Sequence, residues 1–452
     1  MNLFIVSDNA LNGTLPHEYA SWAKLTQFLV DGNSLTGTLP ARYSSWGDSI
    51  AWFSVANNYF TGTLPLGYGA FSNLTSFAAD GNQLNGSLPQ SFSNMTSLMN
   101  FKCSNNSFSG TLPASFGAMV FMQSFDVDSN GFLGELPESF SRWGPSLKAF
   151  SASSNSLSGT LSPSYGNWSN VSVFNVHSNR LTGTLPPQYS TWTGMIRFTV
   201  QENELCGSLP PQYAGWGSLQ TFNALDNSIS GTLPNSYAQW SSVGLIGLSN
   251  NSLSGTVPHL WGTSMTLLHM LLLANNEFEG SFPSDSFVVL SALSISFNNF
   301  SGTVPVLPSL AFLDAQNNSR LTGTLDGYHT LAAASLCSTL VCSTSLMIIF
   351  ACFPEGAITA QCANAVSVTQ EFVELPLLAL QHRHSVSTCP PPPPPATVSP
   401  APHNYTTINN SIPSETVAPL STQSTTTSFA VAAAVASAIS GVDAADAQML
   451  VS

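Results

Sequence analysis

One short phrase recurs along the first three quarters of this chain and constrains its fold more than any other feature. It reads NSLTGTLP from Asn33, NRLTGTLP from Asn179 and NSISGTLP from Asn227. Its glycine recurs fourteen times between Gly13 and Gly323, at steps of 24 or 25 residues until the last two, which are 22 and 21. A fixed period of this length is typical of a solenoid, in which each unit buries its apolar face only by stacking on its neighbours.

Each unit has the same internal pattern. Apolar residues lie five and three positions before a recurrent Asn, as Phe174 and Val176 do before Asn179, and this alternation predicts a strand with one buried face. Two larger side chains follow the glycine by six and nine residues, such as Tyr189 and Trp192. A spacing of three places both on one face of a helical turn, where we expect them to fill the core.

The recurrent Asn is predicted to be structural. It lies four residues before the glycine from Asn9 to Asn298, and Asn318, shifted by one inserted residue, takes its place in the last coil. A polar side chain repeated at one position of a solenoid can bond backbone groups of adjacent coils that a buried turn would otherwise leave unpaired.

The repeat resembles the plant-type, 24-residue leucine-rich repeat L-x-x-L-x-L-x-x-N-x-L-x-G-x-[IL]-P, with Phe often replacing Leu in the strand. The preference for T-L-P followed by Tyr and Trp is similar to the repeats of the promastigote surface antigens of kinetoplastid parasites and their free-living relatives. The resemblance covers residues 1 to about 328. It implies an α/β repeat solenoid, a curved right-handed coil with short parallel strands on the concave face and short helical or 3-10 turns on the convex face.

Four regions are predicted. Residues 1–328 form a solenoid of about 14 repeats, which begins inside a strand pattern without a signal peptide, so we expect the N-terminal cap to be missing from this chain. A Cys-containing C-terminal cap is expected over 329–389, and a Pro/Ser/Thr-rich disordered stalk over 390–428. An Ala-rich tail, expected to be truncated, covers 429–452.

The cysteines indicate a disulfide-stapled cap in an oxidising compartment. Cys103 and Cys206 are predicted to be small core residues without a bonded partner. The disulfide candidates, which cluster beyond the final repeat, are Cys337, Cys342, Cys352 and Cys362. Their spacings do not match paired C-x-x-C zinc ligands, so a metal site is the minor alternative and none is predicted.

The uncharged segment 330–353 is long enough to span a bilayer. We favour a cap packed on the last coil over a membrane span, which stays open as the alternative. No terminal hydrophobic tail suits a GPI signal. Any membrane association is therefore expected to depend either on 330–353 or on an anchor that this chain does not clearly show.

The composition of the chain limits the classes of partner that it can bind. Only 7% of the residues are charged and the formal net charge is −14, which argues against nucleic acid as a partner. Sequons indicate that sugars contribute to solubility. The glycosylation candidates are Asn12, Asn73, Asn85, Asn94, Asn105, Asn167, Asn170, Asn250, Asn299, Asn317, Asn404 and Asn409. We predict a location at the cell surface or outside the cell, reached by the secretory pathway.

No constellation of residues argues for catalysis, and no cofactor is predicted. The G-T-L-P phrase lacks the Lys of a phosphate loop, and its Pro removes an N–H that a phosphate would need. The solvent-facing strand positions of most coils are small or neutral, whereas those of the middle coils are not. The predicted binding face consists of Lys102, Asp126, Asp128, Asn175, His177, Arg197, Thr199 and Gln201.

A variable polar patch on a repeated frame is how solenoids usually present a binding surface. The sequence therefore favours a cell-surface, antigen-like protein that recognises a protein or glycan, or mediates adhesion, through its concave face. The alternative is a structural, glycosylated coat or antigen without a specific ligand, in which case the same residues are merely solvated.

Overall fold

The computed structural model describes residues 1–284, 286–325, 330–331, 333–336 and 339–342. Its main feature is a parallel sheet of fifteen three-residue strands, which we call the inner sheet. Successive coils pair in register, so that Phe174, for example, lies between Phe150 and Phe198. The strands of the inner sheet are Leu3–Ile5, Gln27–Leu29, Trp52–Ser54, Ser76–Ala78, Asn100–Lys102, Ser124–Asp126, Ala149–Ser151, Val173–Asn175, Arg197–Thr199, Thr221–Asn223, Leu245–Gly247, Met270–Leu272, Ala292–Ser294, Phe312–Asp314 and Ala333–Ser335.

The G-T-L-P phrase forms a second layer of parallel strands in two sheets, which we call the side sheets. The first contains Asn12–Thr14, Ser34–Thr38, Tyr59–Thr63, Gln83–Gly86, Ser107–Gly110, Gly131–Glu135 and Ser156–Ser158. The second contains Thr182–Thr184, Glu204–Ser208, Ser228–Thr232, Ser252–Gly255, Glu277–Gly280, Asn299–Thr303, Arg320–Thr324 and Leu340–Cys342. An isolated bridge between Thr160 and Thr182 joins the two.

The glycine of the phrase is required by its backbone and by its neighbour. Gly183 has φ +78°, which L side chains rarely adopt, and a Cβ built on it would lie 2.8 Å from Thr160 Cγ2 of the preceding coil. The chain can therefore turn there only without a side chain.

A short helical turn follows the phrase in most coils and starts directly after a proline or, once, a serine. Ten are 3-10 turns, at His17–Ser21, Ala41–Ser49, Leu66–Ala70, Gln90–Asn94, Ala114–Ala118, Glu138–Ser146, Pro163–Asn167, Pro187–Thr191, Pro211–Gly215 and Asn235–Gln239. One α-helix, His259–Ser264, takes the same place. Proline restricts φ, and at these N-cap positions the backbone is extended, with φ −70° and ψ 122° at Pro186, so the turn begins at the next residue.

The aromatic residues of these turns fill the core, as predicted, and also bond neighbouring coils. Trp192 is fully buried, stacks 6.1 Å from Trp168 and donates its Nε1–H to the Tyr165 carbonyl at 3.0 Å. Tyr189 donates its hydroxyl to the Ser162 carbonyl of the preceding coil at 3.1 Å. The aromatic pair therefore contributes hydrogen bonds between coils as well as apolar volume.

The structure shows the predicted role of the Asn column. The amide nitrogen of Asn179 lies 2.9 Å from the Ala152 carbonyl of the preceding coil, 3.2 Å from that of Val176 and 3.0 Å from that of His177. Its oxygen accepts from Leu157 N at 2.9 Å. The shifted Asn318 keeps the same pattern, including its bond to the Ile295 carbonyl. Each such Asn thus ties two coils together.

Two expectations from the sequence need correction. Ala333–Ser335 and Leu340–Cys342 extend both layers past residue 328, so a further coil lies within the region predicted to be a cap. In that coil Thr339 takes the place of the Asn and donates to the Leu336 carbonyl at 2.7 Å. Cys103 is a free, buried thiol, but Cys206 is disulfide-bonded and is not the unbonded core residue that we expected.

The cap, stalk and tail otherwise lie outside the described residues, as do Cys337, Cys352 and Cys362. Of Cys342, only the place of its backbone in the last strand is described. No helix within the described residues is long and apolar enough to cross a membrane.

Candidate functional site

All eight predicted binding residues lie on the solvent side of the inner sheet or just beyond its strands. Lys102, Asp126, Asn175 and Thr199 occupy one column, in which each is in register with the residue of the next coil, and Ser151 fills the place between Asp126 and Asn175. Two positions further along their coils come Asp128, His177 and Gln201, and Arg197 precedes Thr199 by two. We call these residues, together with Ser151 and Ser153, the polar patch.

A chain of hydrogen bonds crosses four adjacent coils of the polar patch. Thr199 Oγ1 donates to Asn175 Oδ1 at 2.8 Å, and Asn175 Nδ2 donates to Ser151 Oγ at 3.0 Å. Ser151 Oγ donates in turn to Asp128 Oδ2 at 2.5 Å, while Ser153 N donates to Asp128 Oδ1. These four side chains therefore hold one another in a defined arrangement.

The sequence interpretation grouped Ser151 and Ser153 with the small, neutral positions and missed their part in this chain. The signal that could have revealed them is the column itself. A serine between an acidic coil and an amide coil is placed to connect them, because a side chain can reach both the facing residue and the diagonal neighbour on the next strand.

Two carboxyl groups lie close together at one end of the polar patch. Asp126 accepts from Ser104 Oγ at 3.2 Å and from Asp128 N at 3.2 Å. Burial, and then the charge of Asp128, raise the pKa of Asp126 to about 6, against the opposing effects of hydrogen bonds and Lys102. Burial also raises the pKa of Asp128, whose hydrogen bonds from Ser151 and Ser153 oppose the shift.

His177 lies near the other end of the patch in a defined hydrogen-bond arrangement. Its Nδ1 is 2.9 Å from Ser178 Oγ, and Ser178 Oγ donates to Glu202 Oε2 at 2.7 Å. Burial lowers the pKa of His177, although Glu202 opposes the shift. Ser178 and Glu202 both have positive φ, 52° and 55°, so the backbone of this column turns the same way in successive coils.

Gln201 is a deeply buried member of the patch. It is 5% exposed, and its Oε1 has no hydrogen-bond partner. A buried acceptor left unpaired in this way lowers the free energy of unfolding by about 1–3 kcal/mol. Natural proteins pair nearly all such groups, so this one calls for an explanation.

A third buried acid, which the sequence did not single out, lies at the far end of the inner sheet. Asp314 is fully buried and accepts from Ser294 Oγ at 3.1 Å and from Ser296 Oγ at 2.5 Å. Burial raises its pKa to about 6. It lies outside the polar patch and has the character of a structural acid held by its two serines.

The sequons differ in accessibility. Six are exposed and hold no side-chain hydrogen bond within the described residues, namely Asn12, Asn85, Asn94, Asn105, Asn167 and Asn299. Asn73 and Asn170 are exposed but donate to backbone carbonyls, those of Asp48 and Pro145. Asn250 and Asn317 are half-buried, and Asn404 and Asn409 lie outside the described residues.

The described residues contain no group of His, Cys, Asp or Glu side chains that could hold a metal ion. The hydroxyl beside His177, that of Ser178, donates to Glu202. The arrangement is suited to binding through hydrogen bonds and charge.

The repeat, the Asn column and the two layers of parallel strands define an α/β solenoid of the leucine-rich repeat type. No protein-family model matches the chain, and no curated protein matches it by sequence. Similar solved structures are leucine-rich repeat proteins.

Two of them are HAESA and PEPR1. The Arabidopsis receptor kinase HAESA, in complex with the peptide hormone IDA and the co-receptor SERK1, is 26% identical with a TM-score of 0.61, over 77% of this chain and 70% of that one. PEPR1 with AtPEP1 is 22% identical with a TM-score of 0.66, over 78% of this chain and 58% of that one. The chain thus spans about three fifths of the PEPR1 chain.

A third is a leucine-rich repeat protein of the bacterium Leptospira interrogans. It is 22% identical with a TM-score of 0.55, over 74% of this chain and 77% of that one. At this identity the likeness shows the fold alone.

Proposed function

We propose that this protein recognises a protein ligand through the polar patch of its inner sheet, outside the cell or at its surface. The observation that carries the proposal is the ordered hydrogen-bond chain from Asp128 to Thr199 beside the unpaired oxygen of Gln201. A pre-organised set of polar groups on a rigid sheet loses little conformational entropy when a ligand binds.

The structural neighbours support a protein ligand. HAESA is solved in complex with the peptide hormone IDA, and PEPR1 is solved with AtPEP1. A glycan ligand and a role in adhesion remain within the proposal, as does the finer likeness to kinetoplastid promastigote surface antigens. Exposed sequons such as Asn94 and Asn167 favour a glycoprotein.

The proposal also includes the four-region organisation, with the solenoid followed by a disulfide-stapled cap, a stalk and a tail. The added coil at Ala333–Ser335 moves the start of that cap beyond residue 328. Any anchor is expected beyond the solenoid.

A peptide and glycan array screened with the secreted full chain tests the function. We expect at least one class of ligand to bind, and Asp126→Lys and Arg197→Glu to abolish binding by reversing charges in the patch. Lys24→Glu, an exposed charge reversal in the first coil, is the matched control and should bind as the parent does. A parent protein that binds nothing, or binds unchanged after both patch reversals, contradicts the proposal and favours a coat without a ligand.

A further inference from the structure

One end of the polar patch carries three acceptor atoms, Nε2 of His177, Oγ1 of Thr199 and the unpaired Oε1 of Gln201. We propose that His177, Thr199 and Gln201 form a binding site for a primary ammonium group, supplied by a Lys side chain or by the amino terminus of a peptide. This inference rests on the proposed recognition function and names the ligand chemistry of the same patch.

The direction of the hydrogen-bond chain leaves Thr199 as an acceptor. Asp128 receives bonds on both carboxyl oxygens, so the proton of Ser151 points to Asp128 and Ser151 can only accept from the amide nitrogen of Asn175. The amide oxygen of Asn175 then accepts the proton of Thr199. Because that proton is committed, Thr199 Oγ1 offers only lone pairs to a ligand.

The hydrogen bonds of Ser178 determine the tautomer of His177. The hydroxyl of Ser178 donates to Glu202, so its oxygen accepts from Nδ1–H of the ring. The neutral ring therefore carries a lone pair on Nε2. Burial lowers the pKa of His177, which favours this neutral form.

Gln201 supplies the third acceptor. Its Oε1 is unpaired, and the side chain is more than nine-tenths buried. Ser178 N donates to the Gln201 carbonyl at 3.0 Å, which places His177 beside Gln201 on adjacent coils, about 4.8 Å apart. Thr199 lies two residues before Gln201 on the same coil.

An ammonium group matches this arrangement because it has three N–H donors and no acceptor. Glu202 at the edge of the site adds negative charge, so that with Asp126 and Asp128 three acids stand against two cations of the patch, Lys102 and Arg197. A carboxylate or phosphate is disfavoured by the three acids and by the lone pairs of His177 and Thr199, although Gln201 also carries amide donors. A neutral amide of a peptide backbone brings one donor and would leave acceptors unpaired.

Ligand-observed NMR with the full chain at pH 7.5 tests the site. The probes are Nα-acetyl-lysine N-methylamide, which has a side-chain ammonium, and alanine N-methylamide, which has a terminal one. The Nε-acetylated form of the first probe is the negative control. We expect at least one ammonium probe to bind and the acetylated probe not to, and the two ammonium probes distinguish the two sources.

Variants at Gln201 locate the binding. Gln201→Leu removes the acceptor at similar size and should weaken binding about tenfold while raising the melting temperature, since no unpaired oxygen remains. Gln201→Glu keeps an acceptor, adds charge and should bind more tightly. Gln83→Leu, at an exposed position of a side sheet, is the matched control and should change nothing.

The inference is overturned if neither ammonium probe binds, if the acetylated probe binds equally, or if Gln201→Leu binds as the parent does. Weaker binding by Gln201→Glu overturns it as well, even where Gln201→Leu has lost its fold. If the probes fail while array ligands still depend on Asp126 and Arg197, the ammonium site is wrong and the recognition function stands.

Discussion

At the scale of single residues, the unusual feature is a set of ionisable and amide groups buried on the face of a sheet. Asp126 and Asp128 are held by backbone and hydroxyl donors, and the Gln201 oxygen has none. Burial that shifts a pKa has a stability cost, because folding then depends on the protonation of the group. Such residues are tolerated more readily where they serve binding than where they serve the fold.

The shifted pKa of Asp126 predicts a pH dependence of stability. Its value of about 6 in the folded chain exceeds the usual 3.8. The folded state therefore binds more protons than the unfolded state between these values, so the stability contributed by this group is present below about pH 4 and lost as pH rises through about 6.

We expect Asp126→Asn to raise the free energy of unfolding at pH 8 by roughly 1–3 kcal/mol, since one pKa unit corresponds to about 1.4 kcal/mol. The gain should shrink as the pH falls towards 4. Urea unfolding at pH 4, 6 and 8 measures it, with the exposed Asp48→Asn as control. A gain that is equal at all three values contradicts the assignment.

At the scale of the element, one coil could be predicted closely from its sequence. The alternation of Phe174 and Val176 gives the inner strand, and Gly183 marks the turn of the side strand. What the pattern could not show is the direction of side-chain hydrogen bonds between coils. The Nε1–H of Trp192 bonds the Tyr165 carbonyl, whereas the spacing of Tyr189 and Trp192 predicted only that both fill the core.

The hydrogen bonds of the Asn column predict that substituting one of its residues destabilises the solenoid. Asn179→Ala removes three donor contacts and one acceptor contact and leaves buried backbone groups unpaired. We expect it to lower the free energy of unfolding by about 2–4 kcal/mol. Asn9→Ala, which loses only bonds within the exposed first coil, should cost far less. If thermal or urea unfolding shows that the two variants lose equal stability, the stabilising role of the Asn column is contradicted.

The hydrogen bond of Trp192 predicts a smaller loss of stability. Trp192→Phe keeps an aromatic ring but removes the bond to the Tyr165 carbonyl, so we expect a loss of about 1–2 kcal/mol. Trp22→Phe in the half-buried first coil is the control, because no hydrogen bond of its Nε1 is found within the described residues. If the two variants unfold alike, the hydrogen bond contributes nothing beyond the packing of the ring.

At the scale of the whole molecule, the repeat specifies the solenoid because every coil satisfies the same backbone groups in the same way. The prediction failed where the pattern changes. The coil containing Ala333–Ser335 has Thr339 in place of Asn and no G-T-L-P phrase, so it carried no recognisable signal. Cys206 looked like a core residue because a disulfide joins residues that sequence spacing does not relate.

The candidate site was predictable only in outline. The change from Ser and Ala to charged and amide residues located the polar patch, since a solenoid holds its frame constant and varies its surface. The roles of Ser151 and Ser153, and the orphan oxygen of Gln201, depend on side-chain geometry between coils. No single coil contains that information.

The central claim, recognition through the polar patch, is tested most directly by footprinting. Diethyl pyrocarbonate labelling, read by mass spectrometry, reports the access of His177 in the patch and of the exposed His17 on a 3-10 turn. With the best array ligand bound, we expect the labelling of His177 to fall and that of His17 to stay unchanged. Protection of His17 without any protection of His177 would place the ligand on another face and contradict the account.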